Sequence, residues 1–221
     1  GGLADAPVEL DEEGVRVLEA AEEEMRAAEP DAALSRLTRA LDRAGPSAPA
    51  PLYLARARAH VACGDIDAAI ALLQPLETAR AGRPAPPGAA AIAAMLMSSK
   101  LKVWREAGAS KAEGNDAFRR GDFAAAAGAY ERSLAREPGC SAVHCNRAAA
   151  LSGLGRHAEA AEAAGRALAI HGGYAKARRR RADALLAAGA HGEAASLYVE
   201  LAKMSPGDEG IQRGLEECRG K

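Results

Sequence analysis

The chain has 221 residues, of which 48% are apolar and only 3% are aromatic, and its formal net charge is -1. An alanine-rich, aromatic-poor composition favours helices that pack through small side chains, and no run of residues has the pattern of a strand, so we expect an all-α fold. The near-neutral charge and the scarcity of aromatic side chains argue against a nucleic-acid partner. No apolar run reaches the ~18 residues of a membrane span, so we expect no membrane partner.

The N-terminal part of the chain contains a weak internal repeat. Residues 1–13 are expected to be a flexible N-terminus. After them, the pair Ala33 and Leu37 recurs 36 positions later as Ala69 and Leu73, behind a turn that begins at Gly64. A small residue followed by a large one behind a glycine turn is typical of a helical hairpin. We therefore predict two degenerate hairpins within residues 14–83, one near 14–47 and one near 50–83.

The next segment, residues 84–106, is predicted to be a linker followed by a bridging helix. The sequence RPAPPG interrupts any helix, and from Ala89 onward only Gly108 and Gly114 disfavour one. We therefore predict a long helix that starts near residue 88 and continues into the following repeat. Its expected buried stripe consists of Met95, Leu96, Leu101 and Trp104.

The C-terminal part repeats with a period of 34 residues. The turn Gly121-Asp122-Phe123 has counterparts that begin at Gly155 and Gly189. The same step relates Ala126, Ala160 and Ala194; Tyr130, Ala164 and Tyr198; and Pro138, Gly172 and Pro206. Several columns that agree on one period predict helical hairpins at 107–140, 141–174 and 175–208. Since a stack of hairpins leaves its last face open, we expect residues 209–221 to form a capping helix.

The chain lacks the signatures of an enzyme. No nucleophile elbow, phosphate-binding loop or HExxH sequence is present, and the five histidines are dispersed. The four cysteines form no CxxC and fit no common zinc or disulfide spacing, so they are expected to be reduced thiols. We therefore expect no catalytic residues, no metal site and no cofactor. Residues 1–106 carry 12 Lys/Arg and 16 Asp/Glu, whereas residues 107–221 carry 17 and 14, so an anionic ligand is better sought in the C-terminal half.

Residues 107–221 resemble the tetratricopeptide repeat in their period, their Gly-Asp-Phe turn, their small-residue columns and the Pro after the second helix. In this family each unit is a helical hairpin, and stacked units build a right-handed superhelix with a concave groove. The resemblance therefore implies two blocks of such repeats, the first of them degenerate, joined by the long helix. The two-block organisation resembles that of DnaJ-type and thioredoxin-like tetratricopeptide proteins of plants and animals.

Five polar residues resemble, position for position, the dicarboxylate clamp of co-chaperone tetratricopeptide domains. They lie in KAEGNDAF, CNRAAAL and YAKARRRRADALL, and they are Lys111, Asn115, Asn146, Lys176 and Arg180. The resemblance implies that Lys111, Asn146 and Lys176 hold the two carboxylates of a terminal Asp, with Asn115 and Arg180 completing the shell. Phe118 is expected to form an apolar wall for the penultimate Val. Arg147, Arg178, Arg179 and Arg181 are candidates for extending the positive field.

The function implied by this resemblance is a co-chaperone adaptor. It would be a cytoplasmic monomer that binds the C-terminal Glu-Glu-Val-Asp of heat-shock protein 70, heat-shock protein 90 or both. An alternative is a structural scaffold that binds another folded protein through its extended surface or its acidic N-terminal block. That block has Tyr53, Arg56 and His60 at groove-like positions but lacks the partner Asn and Lys residues, so we do not expect a second clamp there.

Overall fold

The computed structural model describes residues 10–45, 48–80 and 89–220, and every regular element within these ranges is a helix. The helices are α1 (Glu12–Arg26), α2 (Pro30–Ala44), α3 (Ala50–Cys63), α4 (Ile66–Arg80), α5 (Ala89–Arg119), α6 (Phe123–Arg136), α7 (Ser141–Gly153), α8 (His157–Ile170), α9 (Ala175–Ala187), α10 (His191–Met204) and α11 (Glu209–Arg219). The predicted all-α fold of packed helix pairs is confirmed. Most of the predicted flexible N-terminus and residues 84–88 of the predicted linker lie outside the described residues.

The chain divides into an N-terminal unit, residues 1–108, and a C-terminal unit, residues 109–221, and the boundary falls inside α5. In the N-terminal unit α1 packs on α2, α2 on α3 and α3 on α4. Its core includes Ala21, Ala33, Leu37, Leu41, Leu52 and Ala59. The first half of α5 joins this unit through the buried Leu101 and Trp104 and through an ion pair of 3.2 Å between Arg105 and Glu77 of α4.

The predicted apolar stripe of α5 is wrong at two of its four positions. Leu101 and Trp104 are 0% and 1% exposed, but Met95 is 73% and Leu96 46% exposed. The cause is helical geometry, because a residue six positions before Leu101 lies about 240° around the helix axis from it. The half-buried Met97, four positions before Leu101, is the residue that continues the stripe.

The same glycine turn closes four of the helical hairpins. Gly64, Gly121, Gly155 and Gly189 have φ of 99°, 79°, 72° and 83°, in the left-handed region that residues with a Cβ atom rarely adopt. The amide after each glycine donates to a carbonyl five residues earlier, as from Asp122 to Ala117 at 3.0 Å and from Ala190 to Leu185 at 2.9 Å. This is the Schellman ending of a helix, and it reverses the chain at each of these four hairpins.

The C-terminal unit is a stack in which each helix from α6 to α11 packs on the next along the chain. The alanines five positions after the turn glycines are completely buried, as are their neighbours one turn on, so the helices approach closely. The buried column is Ala126, Ala160 and Ala194 at 0% exposure and Tyr130, Ala164 and Tyr198 at 1%, 0% and 2%. None of the helices in the described ranges combines the length and apolar character that a bilayer-spanning segment requires.

His144 of α7 is a buried titratable group within this stack. The residue is 6% exposed, and its Nε2 donates to the carbonyl of Pro138 at 3.0 Å. Its Nδ1 is buried and makes no hydrogen bond with any of the described residues. Burial lowers the pKa of His144 below its ordinary value of 6.5, the Pro138 bond opposes that shift, and Arg166 and Arg147 add to it. The folded chain therefore favours the neutral imidazole.

We expect His144 to destabilise the protein in mild acid. Above pH 6.5 the ring is neutral in both states; below it the unfolded chain binds the proton first, so stability falls until the pH passes the lower folded pKa. Chemical unfolding of the parent and of His144→Gln at several pH values checks this. The variant should lose less stability between about pH 6.5 and 5. Parallel pH profiles would contradict this assignment.

Candidate functional site

A cavity of about 390 Å³ opens in the C-terminal unit, and we call it the α5–α9 cavity. Its walls come from the first helices of three successive repeats and from α6. The lining residues are Asn115, Phe118 and Arg119 of α5, Tyr130 of α6, Asn146 and Ala149 of α7, and Lys176 and Arg180 of α9. Five of the six site residues expected from the sequence thus lie on one cavity: Asn115, Phe118, Asn146, Lys176 and Arg180.

Lys111 is the expected site residue that does not line this cavity. It lies one helical turn before Asn115 on α5 and is half-buried. Its ammonium acts on the thiol of Cys140, whose pKa is raised by burial and lowered in part by Lys111. Cys140 is the N-cap residue of α7.

Asn115 is oriented by two hydrogen bonds to a single atom. Its Oδ1 accepts from the hydroxyl of Tyr130 at 2.9 Å and from Nδ2 of Asn146 at 3.2 Å. Because both donors occupy the oxygen, the Nδ2 of Asn115 is the group left to donate to a ligand. The arrangement therefore turns an otherwise ambiguous amide into a hydrogen-bond donor.

Tyr130, which the sequence marks only as a member of a repeat column, also lies at the candidate site. It does pack, with 1% exposure, but its hydroxyl also fixes Asn115 and it lines the cavity. Burial raises the pKa of Tyr130, and the positive charge of Arg180 opposes this in part. The hydroxyl therefore keeps its proton and acts as a donor. The 34-residue column that marks Tyr130 as large carries no sign of this bond.

Lys176 and Arg180 are the positively charged residues of the cavity whose side chains are available to bind a ligand. They lie four residues apart, and thus on one face of α9. Neither forms a hydrogen bond or ion pair with another residue in the part of the chain that the structure describes. Arg119, at the other side, is paired with Asp116. Phe118 is held by an edge-on contact with Phe123, with ring centroids 5.3 Å apart.

Two of the neighbouring arginines that the sequence offered as an extended positive surface are engaged within the unit. Arg178 contacts Glu200 at 3.3 Å and donates to the carbonyl of Gly172 at 2.7 Å. Arg179 pairs with Asp183 at 3.2 Å and with Asp208 at 3.3 Å. Their charges are therefore largely neutralised, and Lys176 and Arg180 are the better candidates for an anionic ligand.

Two buried thiols lie near these cations. Cys140 and Cys145 are both 0% exposed, and burial raises the pKa of each thiol. Arg180 and Lys176 oppose this shift at Cys145, but they do not reverse its direction. Both thiols thus remain protonated and place no negative charge beside the cations. All four cysteines are free, and no group of residues in the described ranges has the composition of a metal site.

The N-terminal unit has a cavity of about 390 Å³ with a different lining. It is formed by Ala21, Glu22, Met25, Arg26, Leu37, Ala55 and Arg58. Tyr53, Arg56 and His60, which the sequence placed at groove-like positions, do not line it. Its lining contains neither asparagine nor lysine, the residue types that accompany Arg180 in the α5–α9 cavity.

Comparison with family models gives a match to the tetratricopeptide repeat over residues 111–175 and 146–209. The two overlapping matches span the three hairpins from α5 to α10. Comparison with curated proteins gives no match.

Among solved structures, the chain is similar to two domains of RPAP3. The second tetratricopeptide domain of the human protein, solved with the HSP70 peptide SGPTIEEVD, is 26% identical with a TM-score of 0.51, and the match covers 54% of this chain and 99% of that one. The first such domain of Spaghetti (RPAP3), bound to the HSP90 peptide SRMEEVD, is also 26% identical, with a TM-score of 0.50 and coverage of 52% and 92%.

A third solved structure matches over a longer part of the chain. The P58(IPK) tetratricopeptide domain covers 92% of this chain and 54% of its own length, with a TM-score of 0.59. At 17% identity this likeness concerns the fold alone.

Proposed function

We propose that the C-terminal unit, whose residues 111–209 match the tetratricopeptide repeat, binds polypeptide tails that end in an aspartate with a free main-chain carboxylate. These tails are the Glu-Glu-Val-Asp endings of heat-shock proteins 70 and 90. Binding them would make the chain a cytoplasmic co-chaperone adaptor. One observation carries the proposal. Two cations without an ion pair to the described residues, Lys176 and Arg180, line the same cavity as the oriented amides of Asn115 and Asn146.

The chemistry of the cavity suits two adjacent carboxylates. A terminal aspartate presents one on its main chain and one on its side chain, and each carboxylate is satisfied by several donors. Lys176 offers an ammonium, Arg180 a guanidinium with a planar fork, and Asn115 its Nδ2. Charge-assisted hydrogen bonds of this kind are about twice as strong as neutral ones.

The apolar side of the cavity suits the residue before the terminal aspartate. Phe118 and Ala149 line it, and Phe123 supports the Phe118 ring. A branched aliphatic side chain such as valine would bury apolar surface there. Lys111, just outside the lining, would reach the same carboxylates from the α7 side of the site. The two RPAP3 domains solved with peptides that end in EEVD support this proposal by similarity.

The proposal predicts binding that depends on the free terminal carboxylate. A peptide ending in Met-Glu-Glu-Val-Asp should bind with a Kd of roughly micromolar order, and the same peptide amidated at its C-terminus should bind at least about tenfold more weakly. Calorimetric titration of both peptides checks this. Affinity should also fall as salt rises, because opposite charges attract less when they are screened. Equal binding of the two peptides, or binding of neither, would contradict the proposal and favour the alternative role as a scaffold.

A further inference from the structure

The C-terminal unit has a second and larger cavity, of about 830 Å³, which we call the α9–α11 cavity. It is lined by residues of α9, α10 and α11 and by His191 and Gly220 at their ends. It shares no lining residue with the α5–α9 cavity.

The two cavities are built at equivalent repeat positions. The residues 68 positions, or two repeat periods, after Asn115, Phe118, Arg119, Tyr130, Asn146 and Ala149 are Asp183, Leu186, Ala187, Tyr198, Gly214 and Glu217, and all six line the α9–α11 cavity. Arg179, the counterpart of Lys111, lines it too. The lining of the second cavity by α9, α10 and α11 is therefore a translated copy, with altered side chains, of the part of the first cavity that α5, α6 and α7 form.

The hydrogen bond donated by the tyrosine hydroxyl recurs in the second cavity, but its acceptor there is a carboxylate and not an amide. The hydroxyl of Tyr198 donates to Oδ1 of Asp183 at 2.6 Å, just as Tyr130 donates to Asn115 fifteen residues before it. The same Oδ1 accepts from Nε of Arg179 at 3.2 Å. In the first cavity this bond leaves Nδ2 of Asn115 as a hydrogen-bond donor. Here it leaves Oδ2 of Asp183, a negatively charged acceptor.

A second carboxylate stands where the first cavity has a methyl group. Glu217 occupies the position of Ala149, and it makes no hydrogen bond or ion pair with the described residues. Of the two arginines of the lining, Arg179 is shared between Asp183 and Asp208, and Arg213 makes no ion pair with the described residues. Counting Asp208, three carboxylates stand against these two guanidinium groups, so the five groups together carry one net negative charge.

We propose that the α9–α11 cavity is a second binding site, which takes a basic side chain of a partner polypeptide between Asp183 and Glu217. Arginine fits better than lysine, since its planar fork donates in two directions at once and two carboxylates lie on one cavity. The site goes beyond the proposed recognition of carboxylate-ended tails and does not depend on it. The chain would thus bind acidic ends at one position and basic side chains at another.

The test is a nuclear magnetic resonance titration of the ¹⁵N-labelled chain with acetyl-Ala-Arg-Ala-amide at millimolar concentration. The amides of Gly210, Gly214 and Gly220 report on the α9–α11 cavity, and that of Ala149 reports on the other one. We expect shifts at the three glycines and none at Ala149. Peptides with citrulline or glutamate in place of arginine should give no such shifts, and lysine should give weaker ones.

The variants come from the first cavity itself. Asp183→Asn and Glu217→Ala install the residues found at Asn115 and Ala149, which stand at the same repeat positions in the first cavity. Each should weaken arginine-peptide binding about tenfold or more, because a charge-assisted hydrogen bond is lost. Glu216→Ala is the matched control, as Glu216 is exposed beside Glu217 but does not line the cavity.

Three results would overturn the assignment. The first is that the glycine amides do not shift with the arginine peptide. The second is that the citrulline peptide shifts them as much as the arginine peptide does. The third is that the arginine peptide still shifts them in the Asp183→Asn, Glu217→Ala double variant. The titration is separate from the tail-peptide experiment, since amidated neutral-ended tripeptides offer no terminal carboxylate to Lys176 and Arg180.

Discussion

Replacing Arg180 by alanine is expected to weaken binding of a Glu-Glu-Val-Asp peptide by about tenfold or more, and Lys176→Ala should have a similar effect. Each substitution removes a charge-assisted donor that contributes about 1.5–3 kcal/mol, and about 1.4 kcal/mol corresponds to a tenfold change in Kd. Both residues line the α5–α9 cavity without a partner among the described residues. Calorimetry with the free-acid peptide measures the loss.

The same variants should leave the folded state nearly unchanged. Neither side chain makes a hydrogen bond or ion pair with the described residues, so unfolding free energies should stay within about 0.5 kcal/mol of the parent. Lys203→Ala is the control, because it removes one positive charge from the exposed surface of α10 away from the cavity. A large loss of stability in Arg180→Ala, or an equal loss of affinity in Lys203→Ala, would refute the assigned role.

The 34-residue period was sufficient to predict the repeats because it is produced by backbone requirements. A left-handed turn needs glycine at Gly121, Gly155 and Gly189, and close helix packing needs alanine at Ala126, Ala160 and Ala194. Such requirements appear directly as residue types in columns. The period also brings residues of different repeats to equivalent depths, so Asn115, Asn146 and Lys176 could be expected on one surface.

The repeat columns do not predict which side chains form hydrogen bonds or ion pairs. Arg178 and Arg180 are chemically identical in the sequence, yet only Arg178 has Glu200 within 3.3 Å. Likewise, Tyr130 and Tyr198 occupy one column, and only the structure distinguishes the amide from the carboxylate that each one anchors. The exposed Met95 shows a further limit, because a long alanine-rich helix offers several apolar faces and its neighbours decide which is buried.

Gly114 lies where α5 packs against Tyr130, so we expect Gly114→Ala to destabilise the protein. A Cβ atom at this position would lie 2.6 Å from Cε1 and 2.7 Å from Cδ1 of the Tyr130 ring. The ring is 1% exposed, so it cannot move aside into solvent. Overpacking of this kind costs about 1–3 kcal/mol, and alanine returns about 1 kcal/mol of helix propensity, so we expect a net loss of up to about 2 kcal/mol.

The loss should be accompanied by weaker peptide binding, because a displaced Tyr130 hydroxyl no longer holds Oδ1 of Asn115. Chemical unfolding and peptide titration measure the two effects. Gly128→Ala is the matched control: its Cβ would meet only Nη1 of Arg132, at 4.0 Å, so helix propensity alone should stabilise it. In a Tyr130→Ala background the contact is gone, and Gly114→Ala should then be stabilising as well. If it remains destabilising there, the close approach to Tyr130 is not the reason that residue 114 is glycine.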